Sequence, residues 1–123
     1  MGFLDRYSAD ILGLTRIVVG LCFLEHGTMK LLGFPPGMQP ALLSMGGAAG
    51  VIELVAGILI VLGLFSRVAA FIASGEMAFA YFLVHFPRGF FPALNGGDGA
   101  ILFCFIFLYL AAAGPGKFAL NNK

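Results

Sequence analysis

Four ionisable side chains lie inside long apolar stretches of this sequence, where an unpaired charge is costly. They are Arg16, Glu25, Glu53 and Glu76. Isolated buried charges are rarely tolerated, so we expect these groups to turn inward and neutralise one another. We predict that Arg16 pairs with a glutamate from another helix, and that the remaining carboxyl groups stay protonated or share a proton.

The spacing along the first apolar stretch limits which of these groups can meet. On a helix with 100° per residue, Glu25 points away from Arg16, so the two cannot pair with each other. Two interpretations of the polar bundle core stay open. It is either an ion pair with hydrogen bonds that fix helix register, or a site that relays protons or holds a polar ligand.

A second set of polar residues is predicted to collect near the outer face, comprising His26, Lys30, Tyr81, His85 and Arg88. We expect Lys30 and Arg88 to extend their ammonium and guanidinium groups to the lipid headgroups. Two histidines at similar depth would suit a small proton-exchanging site. No carboxylate or thiol stands at ligand spacing from them, so we expect no metal site.

The two cysteines, Cys22 and Cys104, lie in apolar stretches without a CxxC or Cys/His pattern. We therefore expect neither a zinc site nor a disulfide framework. Packing is the simple interpretation of both, and redox activity stays an alternative for Cys104. Four aromatic residues surround the last apolar stretch: Phe103, Phe105, Phe107 and Tyr109. Contacts with lipid and core packing explain them without a cofactor, and a flat quinone ring would also fit against them.

The composition identifies the solvent of this chain. Of its 123 residues 60% are hydrophobic and only 11% are charged, and the mean hydropathy is +1.01. A soluble domain carries roughly a quarter of its residues as charges. Lipid is therefore the expected partner of the surface. The net charge of +1 gives no indication of nucleic-acid binding.

Four apolar stretches are long enough to cross a bilayer as helices. They cover about residues 11–32, 45–64, 68–86 and 99–113, and clusters of Gly and Pro separate them. None alternates with a period of two, so strands are not expected. We predict an all-α fold, a single domain over residues 1–123 built as a four-transmembrane-helix bundle.

Basic residues indicate the orientation of these spans. Four spans place both termini and the second loop on one side, which carries Arg6, Arg67, Lys117 and Lys123, against Lys30 and Arg88 on the other. The positive-inside rule then places both termini in the cytoplasm.

Two spans share a stripe of small residues with one glutamate in it. The positions are Gly46, Gly50, Glu53 and Gly57 in the second span, and Ala69, Ala73, Glu76 and Ala80 in the third. Small residues allow helices to approach closely in lipid. We predict that both stripes face the interior of the bundle.

Taken together, several segments make the chain resemble the DoxX family of small prokaryotic membrane proteins. They are Arg16 with GLCFLEHGTMKLLGF at 20–34, IELVAG at 52–57, LGLFSRVAA at 62–70, AYF at 80–82 with His85, GFFP at 89–92, NGG at 95–97 and GPG at 114–116. The recurring polar positions of the family correspond to Arg16, His26, Lys30, Glu53 and Arg67. Family members often end with a serine and an acid after the last of these segments, whereas this chain continues with KFALN at 117–121.

The resemblance implies a four-helix bundle in the cytoplasmic membrane and a link to redox chemistry. A related membrane component belongs to thiosulfate:quinone oxidoreductase, and other members are associated with detoxifying or thiol-oxidative-stress enzymes. The first hypothesis is thus a membrane subunit of a redox system that uses quinone as cofactor, with a soluble or membrane oxidoreductase as partner. The sequence has no haem-ligand pattern and no nucleotide-binding glycine motif, so electron transfer would need that partner.

Two other hypotheses come from different classes of protein. A non-enzymatic anchor or scaffold would recruit a partner through its loops and tail, and its polar groups would be architectural. A small-molecule transporter is a further alternative, although no span has a clear mid-helix Gly or Pro break. Self-association to a homo-oligomer is an open alternative with each hypothesis, because so small a bundle has little room to bury its polar groups by itself.

Overall fold

Four long helices dominate a computed structural model that describes all of residues 1–123. In chain order the helices are α1 (Gly2–Asp5), α2 (Ser8–Leu32), α3 (Met45–Leu62), α4 (Ser66–Ala80), α5 (Pro92–Asn95) and α6 (Asp98–Ala113). A π-helical segment, Tyr81–His85, and a 3-10 turn, Phe86–Arg88, continue α4 without a break. The chain has no strand, and the predicted all-α fold is confirmed.

Glycine and serine set the helix ends close to the predicted ones. Gly33 and Gly63 adopt left-handed backbone angles and end α2 and α3, as C-cap glycines do. The hydroxyl of Ser44 accepts a hydrogen bond from Gly47 N at 3.1 Å and caps the start of α3. Helix α3 ends at Leu62, two residues before the predicted boundary at 64, and α4 begins at Ser66, two residues before the predicted start at 68.

The long helices pack in chain order: α2 against α3, α3 against α4, and α4 against α6. Aromatic and small residues fill the space between them. Phe23 and Phe107 are fully buried, with ring centroids 4.8 Å apart, and Ala70 and Ala73 pack in the same core. Of the aromatic residues in the last span, Phe107 is thus a core residue, whereas the side chain of Phe105 is exposed.

Helices α2 and α3 approach closely through glycine. A Cβ atom added at Gly27 would lie 2.5 Å from Leu54 N, and one added at Gly57 would lie 2.9 Å from Leu24 Cα. Any larger side chain would force these two backbones apart. The stripe on α3 therefore faces inward as predicted, with Glu53 buried on it.

The exterior of the bundle is apolar. Val18, Val55, Phe71, Phe79 and Phe105 are among the large hydrophobic side chains that are exposed. Two helical segments are long and apolar enough to cross a membrane by length and composition: Met45–Leu62, with mean hydropathy 2.2, and Ser66–Arg88, with 1.5. Helix α6 is apolar but shorter, and α2 spans 25 residues and carries several charges.

Both termini and the α3–α4 loop meet at one end of the bundle, which we call the tail end. The tail, residues 114–123, crosses this end and bonds to three parts of the chain. Lys117 N donates to Ala9 O at 3.0 Å, and Leu120 N donates to Leu62 O at 3.2 Å. Arg67 N donates to Lys123 O at 3.3 Å. This is the topology that four spans require.

Candidate functional site

A cavity of about 900 Å³ lies in the half of the bundle opposite the tail end. Ligand sites in proteins commonly measure roughly 300–1,000 Å³, so a small organic molecule fits. Helices α2, α3, α4 and the start of α6 contribute its walls, which are mostly apolar. Three ionisable side chains in its lining, Lys30, Glu53 and Glu76, form what we call the polar cluster.

Lys30 and Glu53 form an ion pair across the α2–α3 contact. Lys30 Nζ lies 2.9 Å from Glu53 Oε1 and donates a hydrogen bond to Oε2 at 3.0 Å. The Glu53 side chain is 1% exposed, and that of Lys30 is 26% exposed. A Cβ at Gly50 would lie 3.0 Å from Lys30 Cβ, so glycine leaves room for the lysine side chain. The ammonium group of Lys30 was predicted to extend to the lipid headgroups. That prediction is wrong, because the ammonium group is paired with the buried Glu53 carboxylate.

Glu76 of α4 joins this pair. Its side chain lines the same cavity beside Lys30 and Glu53. Its Oε1 atom is buried without a partner, and Glu53 Oε1 has only the charge contact with Lys30 Nζ, which lacks the angle of a hydrogen bond. Two carboxyl groups and one ammonium are neutral together only when one proton is held between the carboxyl groups. The polar cluster also retains a free acceptor atom, Glu76 Oε1.

Both histidines of the chain also line the cavity. His26 is exposed, and its ring stands edge-on to Phe103 with centroids 6.1 Å apart. His85 is half-buried, and its Nδ1 lies 3.2 Å from Asn95 O. They approach the cavity from α2 and from the π-helical segment.

Asn95, the last residue of α5, holds together the segment between α4 and α6 by hydrogen bonds. It was not singled out as a functional residue from the sequence. It is 2% exposed and donates through Nδ2 to Tyr81 Oη at 3.2 Å and to Gly89 O at 2.9 Å. Its Oδ1 accepts from Gly97 N at 2.8 Å. The signal was present in the Asn-Gly-Gly turn, which predicts a chain reversal but not a buried side chain.

The structure divides the predicted outer-face cluster. His26, Lys30 and His85 line the cavity, whereas Tyr81 and Arg88 are not part of its lining. The Tyr81 hydroxyl is engaged by Asn95, and Arg88 is exposed. Tyr81 in the π-helical segment and Arg88 in the 3-10 turn thus lie outside the cavity lining.

A family model described as DoxX matches residues 11–86 of this chain. The chain belongs to the DoxX family. An uncharacterized protein of Haemophilus influenzae is 47% identical over 130 aligned residues, which cover 100% of this chain and 97% of that protein. No solved structure matches. This DoxX-family chain is a membrane protein, and its polar cluster lies entirely within the matched segment.

Arg16 has a different role in this DoxX protein from the one predicted. Its guanidinium is fully buried at the tail end and contacts no glutamate. Nε donates to Ile60 O at 2.9 Å, and the two terminal nitrogens donate to the carbonyl oxygens of Pro115, Lys117 and Phe118. The predicted pairing with a glutamate is wrong, because neutral backbone carbonyls of the tail satisfy the guanidinium instead.

Glu25 does not belong to the polar core. The buried face of α2 is formed by Gly13, Arg16, Gly20, Phe23 and Gly27. Glu25 stands two residues from Phe23 and from Gly27, so it points to the opposite side of the helix and is exposed. Its predicted place in the bundle core is wrong.

Both cysteines of the DoxX protein are free thiols. Cys22 is exposed and Cys104 is half-buried. Ser74 Oγ donates to Cys104 O at 2.7 Å and lies 3.5 Å from its Sγ. No group of three or more His, Cys, Asp or Glu side chains stands close enough to hold a metal ion.

Proposed function

We propose that this DoxX protein binds a quinone in its cavity and serves as the membrane subunit of a redox system in the cytoplasmic membrane. The observation that carries the proposal is the position of the polar cluster, Lys30, Glu53 and Glu76, in the lining of a large and mostly apolar cavity. Such clusters in a water-poor site are typical of functional rather than architectural positions.

The chemistry of the lining suits a quinone. The ring carries carbonyl oxygens that need hydrogen-bond donors, and Lys30 and a protonated carboxyl group of Glu53 or Glu76 are donors. The isoprenoid or alkyl chain of a quinone needs apolar walls, which Ile52, Ile72 and other residues provide. A bound quinone would supply electron-transfer chemistry coupled to protons.

The residues of this chain would then manage the protons and the charge. Glu76 Oε1 is free to accept a proton, and the adjacent Glu53 carboxyl group is held by Lys30. Lys30 keeps the cluster neutral while one proton moves between the two carboxyl groups. Lys30 thus takes the charge-balancing role that was expected of Arg16. Electrons would come from an oxidoreductase partner.

The proposal is tested by measuring, with equilibrium dialysis, the affinity of the detergent-purified protein for a short-chain benzoquinone. We expect Glu53→Gln to weaken binding by about tenfold or more, since one hydrogen bond to a charged group is worth roughly 1.5–3 kcal/mol. Glu25→Gln is the matched control, because Glu25 is exposed on the far side of α2, and it should bind as the unaltered protein does. Equal affinity for Glu53→Gln, or no binding by the unaltered protein, would contradict the proposal.

The tail end supports a second candidate function, that of an anchor that recruits a partner. Phe118 and Leu120 are exposed there beside the basic residues Lys117 and Lys123. With the termini placed in the cytoplasm, this surface would face soluble proteins. Co-purification from native membranes separates the two functions. Loss of the partner on replacing Phe118 and Leu120 by serine, with no effect of Glu53→Gln, would favour the anchor.

A further inference from the structure

The wall of the cavity is incomplete between α3 and α4. Several side chains of α4 and of the π-helical segment line the cavity and are also exposed on the outside of the bundle, namely Phe71, Ile72, Phe79 and Leu83. On the facing helix, Ala48 is both exposed and part of the lining. A residue with both properties stands at an opening. The cavity therefore opens sideways between these helices, at a surface that is apolar. It also opens toward the α2–α3 connection and α2, where Met38, Met45 and His26 are exposed and line it.

Gly75 lies in this opening, one residue before Glu76. It is exposed and lines the cavity, and a Cβ atom added there would meet nothing within 4 Å. Glycine in a helix interior is unfavourable unless something needs the space. At Gly27 the neighbouring backbone of α3 needs it. At Gly75 no part of the protein does, so the space beside the polar cluster is left free.

We propose that Gly75 keeps open a lateral portal between α3 and α4, and that the apolar chain of the ligand extends through this portal into the bilayer. The proposal rests on the proposed function and adds the class of ligand. That class has an uncharged hydrogen-bonding head of ring size and a long hydrocarbon chain. The ligand enters from the lipid.

The charge of the polar cluster supports an uncharged head. The only ammonium in the cluster, on Lys30, is already within 3.0 Å of both carboxylate oxygens of Glu53. An anionic head would have to displace Glu53 and would meet Glu76 as well. The apolar rim also disfavours a water-soluble ligand, because its polar groups would lose their hydration at Phe79 and Leu83 without gaining partners.

A comparison of two quinones with one substitution tests the portal. The probes are decylubiquinone, which carries a ten-carbon chain, and tetramethylbenzoquinone, which carries none. We expect Gly75→Leu to weaken binding of decylubiquinone by about tenfold or more, and that of tetramethylbenzoquinone by no more than about twofold. Gly99→Leu is the matched control, since Gly99 is exposed with the same free space but lies outside the cavity lining.

Each other outcome overturns a defined part of the argument. If Gly75→Leu binds both quinones as the unaltered protein does, the portal is refuted while the quinone site stands. If both quinones are lost equally at an unchanged melting temperature, Gly75 belongs to the head site and the portal is again refuted. Binding of neither quinone by the unaltered protein refutes the proposed function itself. Should Gly75→Leu not fold, Gly75→Ala takes its place. A smaller loss of affinity that is selective for decylubiquinone supports the portal, and no loss of affinity refutes it.

Discussion

The two ends of this bundle bury their charged side chains in opposite ways. At the tail end, Arg16 and Arg67 donate only to backbone carbonyl groups, of Ile60, of the end of α6 and of the tail. At the cavity, Lys30 is paired with a carboxylate, and a second carboxyl group retains an unpartnered oxygen. At the tail end the donors of the arginines are bound to the chain itself, so none is offered to a ligand. At the cavity an unpartnered oxygen is available to one.

The difference separates stability from binding. A planar guanidinium with several acceptors fixes the chain segments that supply them, so the tail end is a clasp. The polar cluster instead keeps an oxygen of Glu76 without a partner, so the cavity retains an acceptor for a ligand. Substitutions at the clasp should therefore change unfolding, and substitutions at the cluster should change binding.

The largest effect should come from Arg16→Met. The change leaves the carbonyl groups of Pro115, Lys117 and Phe118 without their side-chain donor and removes one of the two donors to Ile60 O. We expect a loss of about 3–5 kcal/mol in the free energy of unfolding. Thermal unfolding in detergent measures it. Quinone affinity should change by no more than about twofold at temperatures where the variant is folded. A normal melting temperature with reduced affinity would show instead that Arg16 balances the glutamates.

A smaller effect is expected when the ion pair of the cluster is broken. Lys30→Met leaves Glu53 buried without its partner and should cost about 1–3 kcal/mol of stability, and Lys30→Met with Glu53→Gln should recover part of that loss. The matched control is Lys117→Met, because Lys117 Nζ pairs with Asp10 Oδ1 at 3.1 Å while its own side chain is 58% exposed. That change should cost less than about 1 kcal/mol. Equal losses for the two lysines would remove the distinction between the buried and the exposed pair.

Two serines of α4 provide the smallest comparison. Ser74 Oγ donates to Cys104 O at 2.7 Å and joins α4 to α6, whereas Ser66 Oγ is buried without a partner. We expect Ser74→Ala to cost about 1 kcal/mol and Ser66→Ala to be neutral or slightly stabilising, as melting temperatures would show. A larger loss at Ser66 than at Ser74 would mean that the buried Ser66 hydroxyl has a partner.

Prediction from the sequence succeeded where the information is local. Glycine and proline mark the ends of the four long helices, and the spacing of small residues identifies the inward face of α3. It failed where two distant segments meet. The Lys30–Glu53 pair joins residues on different helices, and hydropathy gives neither the rotation of one helix against another nor their register.

The sequence by itself determined the solvent, the number of long helices and the side of α3 that is buried, because composition and helical period act within a single segment. Only the tertiary structure decided which charged groups meet. Arg16 donates to the carbonyl groups of a tail about a hundred residues away in the sequence. Glu25 is exposed, and Lys30 is paired with Glu53. The physical reason is that either carbonyl groups or a carboxylate can stabilise a buried cation. Only the packing of the helices and the tail determines which of these groups lies near it.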